Sequence, residues 1–255
     1  MADALAGRNW APIGASLGLG LAILALVSLA AGPVGWRFGW WHFRFAFYWL
    51  MPFAAFTALA AAVVSIAVLA LGWSHLGGRG LALAGLGVVL GAAIAYVPWQ
   101  YNRTRQTVPP IHDITTDTAN PPAFVAALSL RGPGANTVTY EGADLARKQK
   151  AAYPDIAPVE IGAPPAAAFK QALDAAKAMP GWNVVASDPA AGRIEANETT
   201  RWFRFTDDVV IRVAPDGAGS RVDVRSVSRV GRSDFGVNAG RIRAYTAALK
   251  AHPGS

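Results

Sequence analysis

The sequence predicts a helical membrane anchor followed by a soluble α+β domain, on three observations. The chain is 53% hydrophobic and 15% charged, whereas an ordinary soluble domain has roughly 25% charged residues. The first hundred residues carry only four arginines and one aspartate, and all other charged side chains follow Gln100. Beyond about residue 180, apolar and polar residues alternate, which is typical of strands.

Three uncharged windows are long enough to cross a bilayer. They cover residues 9–36, 45–74 and 80–102, and a spanning helix needs about 20 apolar residues. We expect helices near residues 11–31, 47–73 and 81–97, because a helix satisfies its backbone hydrogen bonds internally in lipid. The sequence therefore predicts a three-helix transmembrane domain over residues 1–101, with the lipid bilayer as its first partner.

Glycine pairs four residues apart occur in two of the predicted helices: Gly14 with Gly18, and Gly87 with Gly91. Small residues at this spacing let helix backbones approach closely. Both packing within the three-helix bundle and self-association fit this pattern, so the oligomeric state stays open. The spans carry no ionisable residue near their middle, unlike those of most transport proteins, which favours an anchor or docking surface.

The flanking arginines bear on membrane orientation. Arg37, Arg44, Arg103 and Arg105 would share one side of a three-span anchor, and Arg8 and Arg79 would share the other. The positive-inside rule then favours a cytoplasmic soluble domain. The expected location is the bacterial inner membrane, with the chain as a multi-pass protein.

The soluble domain is expected to cover residues 102–255 and to begin with an extended segment. Residues 102–165 contain nine prolines and one good helical run, residues 143–153. Proline interrupts both helices and strand ladders. We therefore expect this Pro-rich segment to wrap around the rest of the domain. After the segment, a helix is predicted to begin at Pro165 and to end near Met179.

Four strands are predicted next, at residues 182–187, 193–205, 208–214 and 220–230, and a last helix from about residue 234 to 250. The fold class is an α+β domain with a four-stranded antiparallel sheet and helices on one face, in a helix-grip-like order. Alternation places apolar side chains on one sheet face and arginines with acidic residues on the other. A solvated face with cross-strand ion pairs is the default interpretation of the polar face, and an anionic headgroup or partner site is the alternative.

The most polar cluster in the chain lies at residues 111–117. His112 could act as a general base oriented by Asp113, or bind a ligand together with Asp113 and Asp117. Alternatively, the Asp and Thr side chains of this segment make local turns and His112 has no special role. The chain has no cysteine and its four histidines lack metal-ligand spacing, so no metal site and no cofactor is predicted.

Arg225, Arg229 and Arg241 are the predicted partners of these aspartates, because a carboxylate in a partly buried turn favours a guanidinium. We expect at least one such hydrogen bond across more than a hundred residues of sequence. Beyond residue 107 the chain has 17 basic and 15 acidic residues, a net charge of +2. Nucleic-acid binding requires a surface of one sign, so no nucleic-acid partner is predicted.

Several motifs resemble the bacterial and plastid family known as domain of unknown function 1499. They are IHDITTD at residues 111–117, YPDI at 153–156, RVDVRSVSRVG at 221–231, SDFGVN at 233–238 and RIR at 241–243. The resemblance covers about residues 102–249 and implies no assigned activity. Many relatives look exported, which implies an extracytoplasmic domain, opposite to the arginine distribution.

The predicted function is a membrane-anchored binding or accessory domain. Its expected partner is a lipid, which could be anionic, an apolar ligand or a membrane protein. The alternative is an enzyme that acts on a membrane-proximal substrate through His112 and Asp113.

Overall fold

The computed structural model describes residues 10–251, and the chain divides into two compact units. Met1–Thr104 form the first, called the membrane unit, and Arg105–Ser255 form the second, called the sheet unit.

The membrane unit is helical, and its helices are α1 (Trp10–Arg37), α2 (Phe43–His75) and α3 (Gly78–Thr107). Each is long and apolar enough to cross a membrane. The three predicted helices are confirmed and each is longer than expected, because the polar and aromatic residues at their ends remain helical.

The helices pack in a pattern opposite to that of a soluble bundle. Small residues are buried where the helices meet, including Ala15, Ala58 and Ala84. Large apolar side chains point outward, and Phe56 and Leu71 are 74% and 75% exposed. Lipid is as apolar as leucine, so tight contact of small residues holds such helices together.

The sheet unit contains short strands, long hairpins and three helices. Its elements are β1 (Asp113–Thr115), a 3₁₀ turn (Ala126–Leu130), α4 (Ala143–Ala152), β2 (Val159–Ile161), α5 (Pro165–Ala178), β3 (Trp182–Asp188), β4 (Arg193–Thr199), β5 (Thr206–Asp216), β6 (Gly219–Ser228) and α6 (Val237–Ala251). In the described part of the chain these strands form one six-stranded sheet in the order β1-β6-β5-β4-β3, with β2 also paired to β6.

The prediction of four strands is wrong, since the Pro-rich segment contributes β1 and β2. All pairings are antiparallel, and both short strands lie on the edge of β6 that faces away from β5. Each short strand has only three residues, so an alternating pattern cannot be recognised in it. Its partner strand, β6, also lies far along the chain. The predicted strand at residues 193–205 is also too long, because β4 ends at Thr199 and a loop follows.

One face of the sheet carries the apolar core. Ile194, Val209, Ile211 and Val224 pack there against α5 and α6. Trp182 and Tyr245 stack at its end with ring centroids 5.3 Å apart. We call this the helix face, and its apolar composition agrees with the predicted alternation.

The opposite face is largely covered rather than solvated, which corrects one part of the default interpretation, whereas the expected cross-strand ion pairs are present, as between Arg212 and Asp223. The stretch after β1 covers it, and Phe124 and Ala127 pack against Val210 and Val227. We call it the segment face. Charged side chains are buried between the sheet and this stretch, where they have partners such as Asp113 for Arg225.

Candidate functional site

Arg225 and Asp113 form a buried ion pair on the segment face. Arg225 lies in β6 and Asp113 in β1, where it pairs opposite Val227. The Nε and Nη2 atoms of Arg225 donate to Oδ1 and Oδ2 of Asp113 at 2.9 and 2.7 Å. The predicted arginine–aspartate hydrogen bond across more than a hundred residues is therefore present, and both residues are only 3% exposed.

Arg225 also holds later parts of the Pro-rich segment. Its guanidinium donates to the carbonyls of Pro122 and Val138 at 3.1 and 2.7 Å. It lies 5.4 Å from the ring centroid of Phe124 and 5.6 Å from that of Tyr140. Burial and the charge of Asp113 raise the pKa of Tyr140 to about 12. Four of the five N–H groups of this buried guanidinium are therefore used within the protein.

His112 contributes its backbone more than its ring. Its carbonyl accepts hydrogen bonds from Ser228 N and Asn238 Nδ2, both at 3.0 Å. Among the described residues no hydrogen bond is formed by its imidazole. His112 lines a small polar pocket of about 110 Å³ with Asp113, Glu141 and Lys148. Among the described residues Asp113 is hydrogen-bonded to Arg225 and not to the imidazole, so it does not orient the ring as a general base requires.

Asp117 has partners other than the predicted arginines. Its Oδ1 accepts the backbone N–H of Ala119 and Asn120, and its Oδ2 lies 3.0 Å from Arg212 Nη2 and 3.1 Å from Arg221 Nη2. Although burial alone would raise the pKa of Asp117, these hydrogen bonds and charges lower it. The two arginines also bind Asp223, which makes a neutral cluster.

Arg229 binds a different acid. It donates to both oxygens of the buried Asp208 at 3.0 and 2.7 Å. Arg131, which follows the 3₁₀ turn, binds the same carboxylate. Arg229 also donates to the carbonyl of Leu130. Asp208 thus fastens a second part of the Pro-rich segment to β5.

Arg241 lies on the helix face, in α6. Its guanidinium binds Glu198 at 2.7 Å and Asp207 at 2.8 Å, at the end of the sheet where β4 and β5 are joined. Burial alone would lower its pKa, but these two carboxylates raise it. Asp234 precedes α6 and accepts the N–H groups of Gly236 and Asn238, while burial raises its pKa.

Glu195 is the central residue that sequence reasoning missed. Its side chain is fully buried and accepts the backbone N–H of Val125, Ala126 and Ala127 at 2.8–3.0 Å. It thereby caps the start of the 3₁₀ turn and pairs with Arg193. Its position on the polar sheet face was visible in the sequence, but its partners are backbone groups that leave no sequence signal.

The four glycines of the two predicted pairs, Gly14 with Gly18 and Gly87 with Gly91, lie at helix contacts. A Cβ at Gly18 or Gly87 would stand 2.2 Å from the Oγ of Ser65 in α2. One at Gly14 would meet Val68, and one at Gly91 would meet the α2 backbone. These contacts lie within the three-helix unit.

An open groove lies elsewhere on the sheet unit. Its volume is about 330 Å³. It is lined by Val159, Glu160, Ile161, Gly162, Ala163, Gln171, Leu249 and Lys250, from β2, the following turn, α5 and α6. Over the described residues, 10–251, no group of three His, Cys, Asp or Glu side chains could hold a metal ion.

These features define a protein with helices suited to a membrane and a sheet domain whose charged side chains mostly form ion pairs with one another. The sequence pattern of the family described as "Protein of unknown function (DUF1499)" matches residues 113–249, and the chain belongs to this family. No curated protein matches the chain in sequence.

Three solved structures are similar to part of the chain. TTHA0849 from Thermus thermophilus is 14% identical over 37% of this chain and 92% of its own, with a TM-score of 0.24. Protein CV1439 from Chromobacterium violaceum is 13% identical over 38% and 95%, with a TM-score of 0.25. Ara h 8.0201 is 12% identical over 37% and 94%, with a TM-score of 0.19.

Proposed function

We propose that the chain is a membrane-anchored binding or accessory domain of the bacterial inner membrane, and that it binds a lipid or another apolar ligand. One contrast carries this proposal. The acids and arginines of the segment face are mostly closed in buried pairs such as Arg225–Asp113, whereas a larger, partly apolar groove is open.

The groove suits a ligand that is partly apolar. Ile161 and Ala163 supply its accessible apolar side chains, and Glu160, Gln171 and Lys250 supply polar or charged groups. Its volume of about 330 Å³ lies at the lower end of the range for small-molecule sites, about 300–1,000 Å³. It therefore accommodates part of an acyl chain or a short apolar segment.

The helix-grip-like interpretation belongs to the same proposal. The space between the sheet and α6 is filled, since Ile242, Tyr245 and Leu249 are almost completely buried there. A ligand must therefore bind at the end of α6, where the groove lies.

The test fills the groove without straining the backbone. A Cβ at Gly162 would meet no atom within 4 Å, so Gly162→Trp places an indole in the groove. Gly132→Trp is the matched control, because that glycine is equally unobstructed but does not line the groove. Each full-length variant is purified in mild detergent, and its bound small molecules are identified by mass spectrometry.

We expect the unmodified chain and Gly132→Trp to retain the same lipid or apolar ligand, and Gly162→Trp to lose it. Equal retention by both variants would contradict the groove as the binding site. Conversion of the bound molecule by the unmodified chain, abolished in His112→Ala, would instead support the enzyme alternative.

A further inference from the structure

The loop between β4 and β5 combines aromatic and basic side chains. Residues 200–205 read Thr-Arg-Trp-Phe-Arg-Phe, in a stretch predicted as strand. Trp202 is 68% exposed, and the guanidinium of Arg201 lies 5.7 Å from its ring centroid. Phe203 and Phe205 stack with centroids 5.1 Å apart. We call this the aromatic loop.

The aromatic loop has a defined conformation. The backbone N–H of Thr200 donates to the carbonyl of Phe205 at 2.8 Å, and the N–H of Phe205 donates to the Thr200 hydroxyl at 2.9 Å. Arg204 adopts a left-handed backbone conformation, with φ of 56°, which is uncommon for a residue with a side chain. An exposed tryptophan is thus presented on an ordered tip.

The arginines of the loop differ from most others in this domain. Most other arginines of the described sheet unit form ion pairs, whereas no ion pair of Arg201 or Arg204 occurs within residues 10–251. The nearest acids along the chain, Glu198 and Asp207, are bound to Arg241 at 2.7 and 2.8 Å. The two arginines of the loop exceed the single net negative charge that Glu198, Asp207 and Arg241 leave beside it, so the loop stays positive and complements an anionic surface.

The size of the loop favours a bilayer over a protein. A stable protein interface buries about 800 Å² on each partner, more than one six-residue loop presents. A membrane surface needs less, because indole rings favour the headgroup layer and arginine is attracted to anionic lipid. The same chain carries three helices suited to crossing a bilayer, and such a tether raises the effective concentration of lipid at the sheet unit.

We infer that the aromatic loop docks the sheet unit on an anionic bilayer surface, with Trp202 in the headgroup layer and Arg201 and Arg204 on lipid phosphates. This inference rests on the membrane attachment in the proposed function. It does not depend on the groove or its ligand.

Absence of cysteine from the chain allows a direct test. A nitroxide is attached to Trp202→Cys in the full-length chain, reconstituted in nanodiscs of phosphatidylcholine alone or of equal parts phosphatidylcholine and phosphatidylglycerol. A nitroxide on Ala218→Cys is the control, because that exposed residue lies in the turn at the far end of β5, about 30 Å away along the strand. Collisions with oxygen and with a water-soluble nickel chelate then report the depth of each label.

In discs with phosphatidylglycerol, the label at position 202 should be shielded from nickel and accessible to oxygen, and the label at 218 should remain aqueous. Adding Arg201→Gln and Arg204→Gln should lower the ratio of docked to free loops about tenfold or more. Thermal unfolding of each variant checks that the sheet unit stays folded.

An aqueous label at 202 in a well-incorporated chain would overturn the docking inference while leaving the anchor intact. Equal docking in both lipid mixtures would overturn the role of the arginines. Shielding that occurs only in native membranes would identify a protein as the occupant and also overturn the inference. Failure of the chain to enter bilayers would refute the proposed membrane attachment itself.

Discussion

The two faces of the sheet are buried by different means. On the helix face, side chains such as Ile211 and Val224 meet the apolar sides of α5 and α6. On the segment face, Arg225, Asp208 and Glu195 bind a chain that lacks long regular structure. An irregular segment exposes carbonyls and N–H groups that must be satisfied when buried, so charged side chains suit it better than apolar ones.

This comparison explains why buried charges need not indicate catalysis. Each charge on the segment face has an opposite charge or several backbone groups within hydrogen-bond distance. Removing one partner leaves the other uncompensated, whereas truncating an apolar side chain leaves only a cavity. Substitutions on the two faces should therefore differ in how much they lower the free energy of unfolding and in whether a second substitution restores it.

The largest effect is expected from Arg225→Met. It leaves Asp113 buried without its partner, which costs roughly 3–5 kcal/mol in free energy of unfolding. Urea unfolding of the full chain in mild detergent measures the change. Adding Asp113→Leu should restore much of the loss, because the charge is then removed as well; no restoration would contradict the pairing argument.

A somewhat smaller loss is expected on the helix face. Ile242→Ala creates a cavity beneath α6 and should cost about 3 kcal/mol, against about 1 kcal/mol for Ile242→Val. Because this substitution leaves only a cavity, a second substitution by a polar residue should not restore the free energy of unfolding measured in urea. If Ile242→Val and Ile242→Ala lowered the free energy of unfolding equally, the core beneath α6 would be loosely packed.

Glu195→Gln should cost about 2 kcal/mol. The amide replaces one acceptor oxygen by a donor, so at least one N–H at residues 125–127 loses its partner while buried. Glu160→Gln is the control, since Glu160 is exposed on β2, and should change unfolding by less than about 0.5 kcal/mol. A similar effect of both substitutions would argue against a capping role for Glu195.

The strands and side-chain partners of the two faces could not be predicted equally well from the sequence. The two hairpins were found because alternation is local and repeats over several residues. The short strands β1 and β2 were not, since three residues carry no period. Asp113–Arg225 could be anticipated from chemistry, because a buried aspartate favours a guanidinium. The partners of Asp117 could not, since several arginines shared the same face and only the register of β5 and β6 selects Arg212 and Arg221.

The smallest expected change in free energy of unfolding is that of Asp117→Asn, and it depends on pH. Its folded pKa is lowered from the ordinary value of 3.8, so its stabilisation is fully present above 3.8 and is lost as pH falls through the folded pKa. Asp117→Asn should cost about 1 kcal/mol at pH 7. In urea titrations, the difference from the unmodified chain should shrink at acid pH. A difference that grew on acidification would contradict the lowered pKa.

The most direct test of this account is hydrogen exchange in Arg225→Met. If the segment face fastens an irregular chain to the sheet, amides of residues 113–142 should lose far more protection in the variant than amides of α5 and α6, which lose only what the lower free energy of global unfolding requires. Mass spectrometry of peptides from the full chain measures both regions at once. Equal loss of protection in the segment and in the two helices would contradict the account, because Arg225 would then support the whole domain.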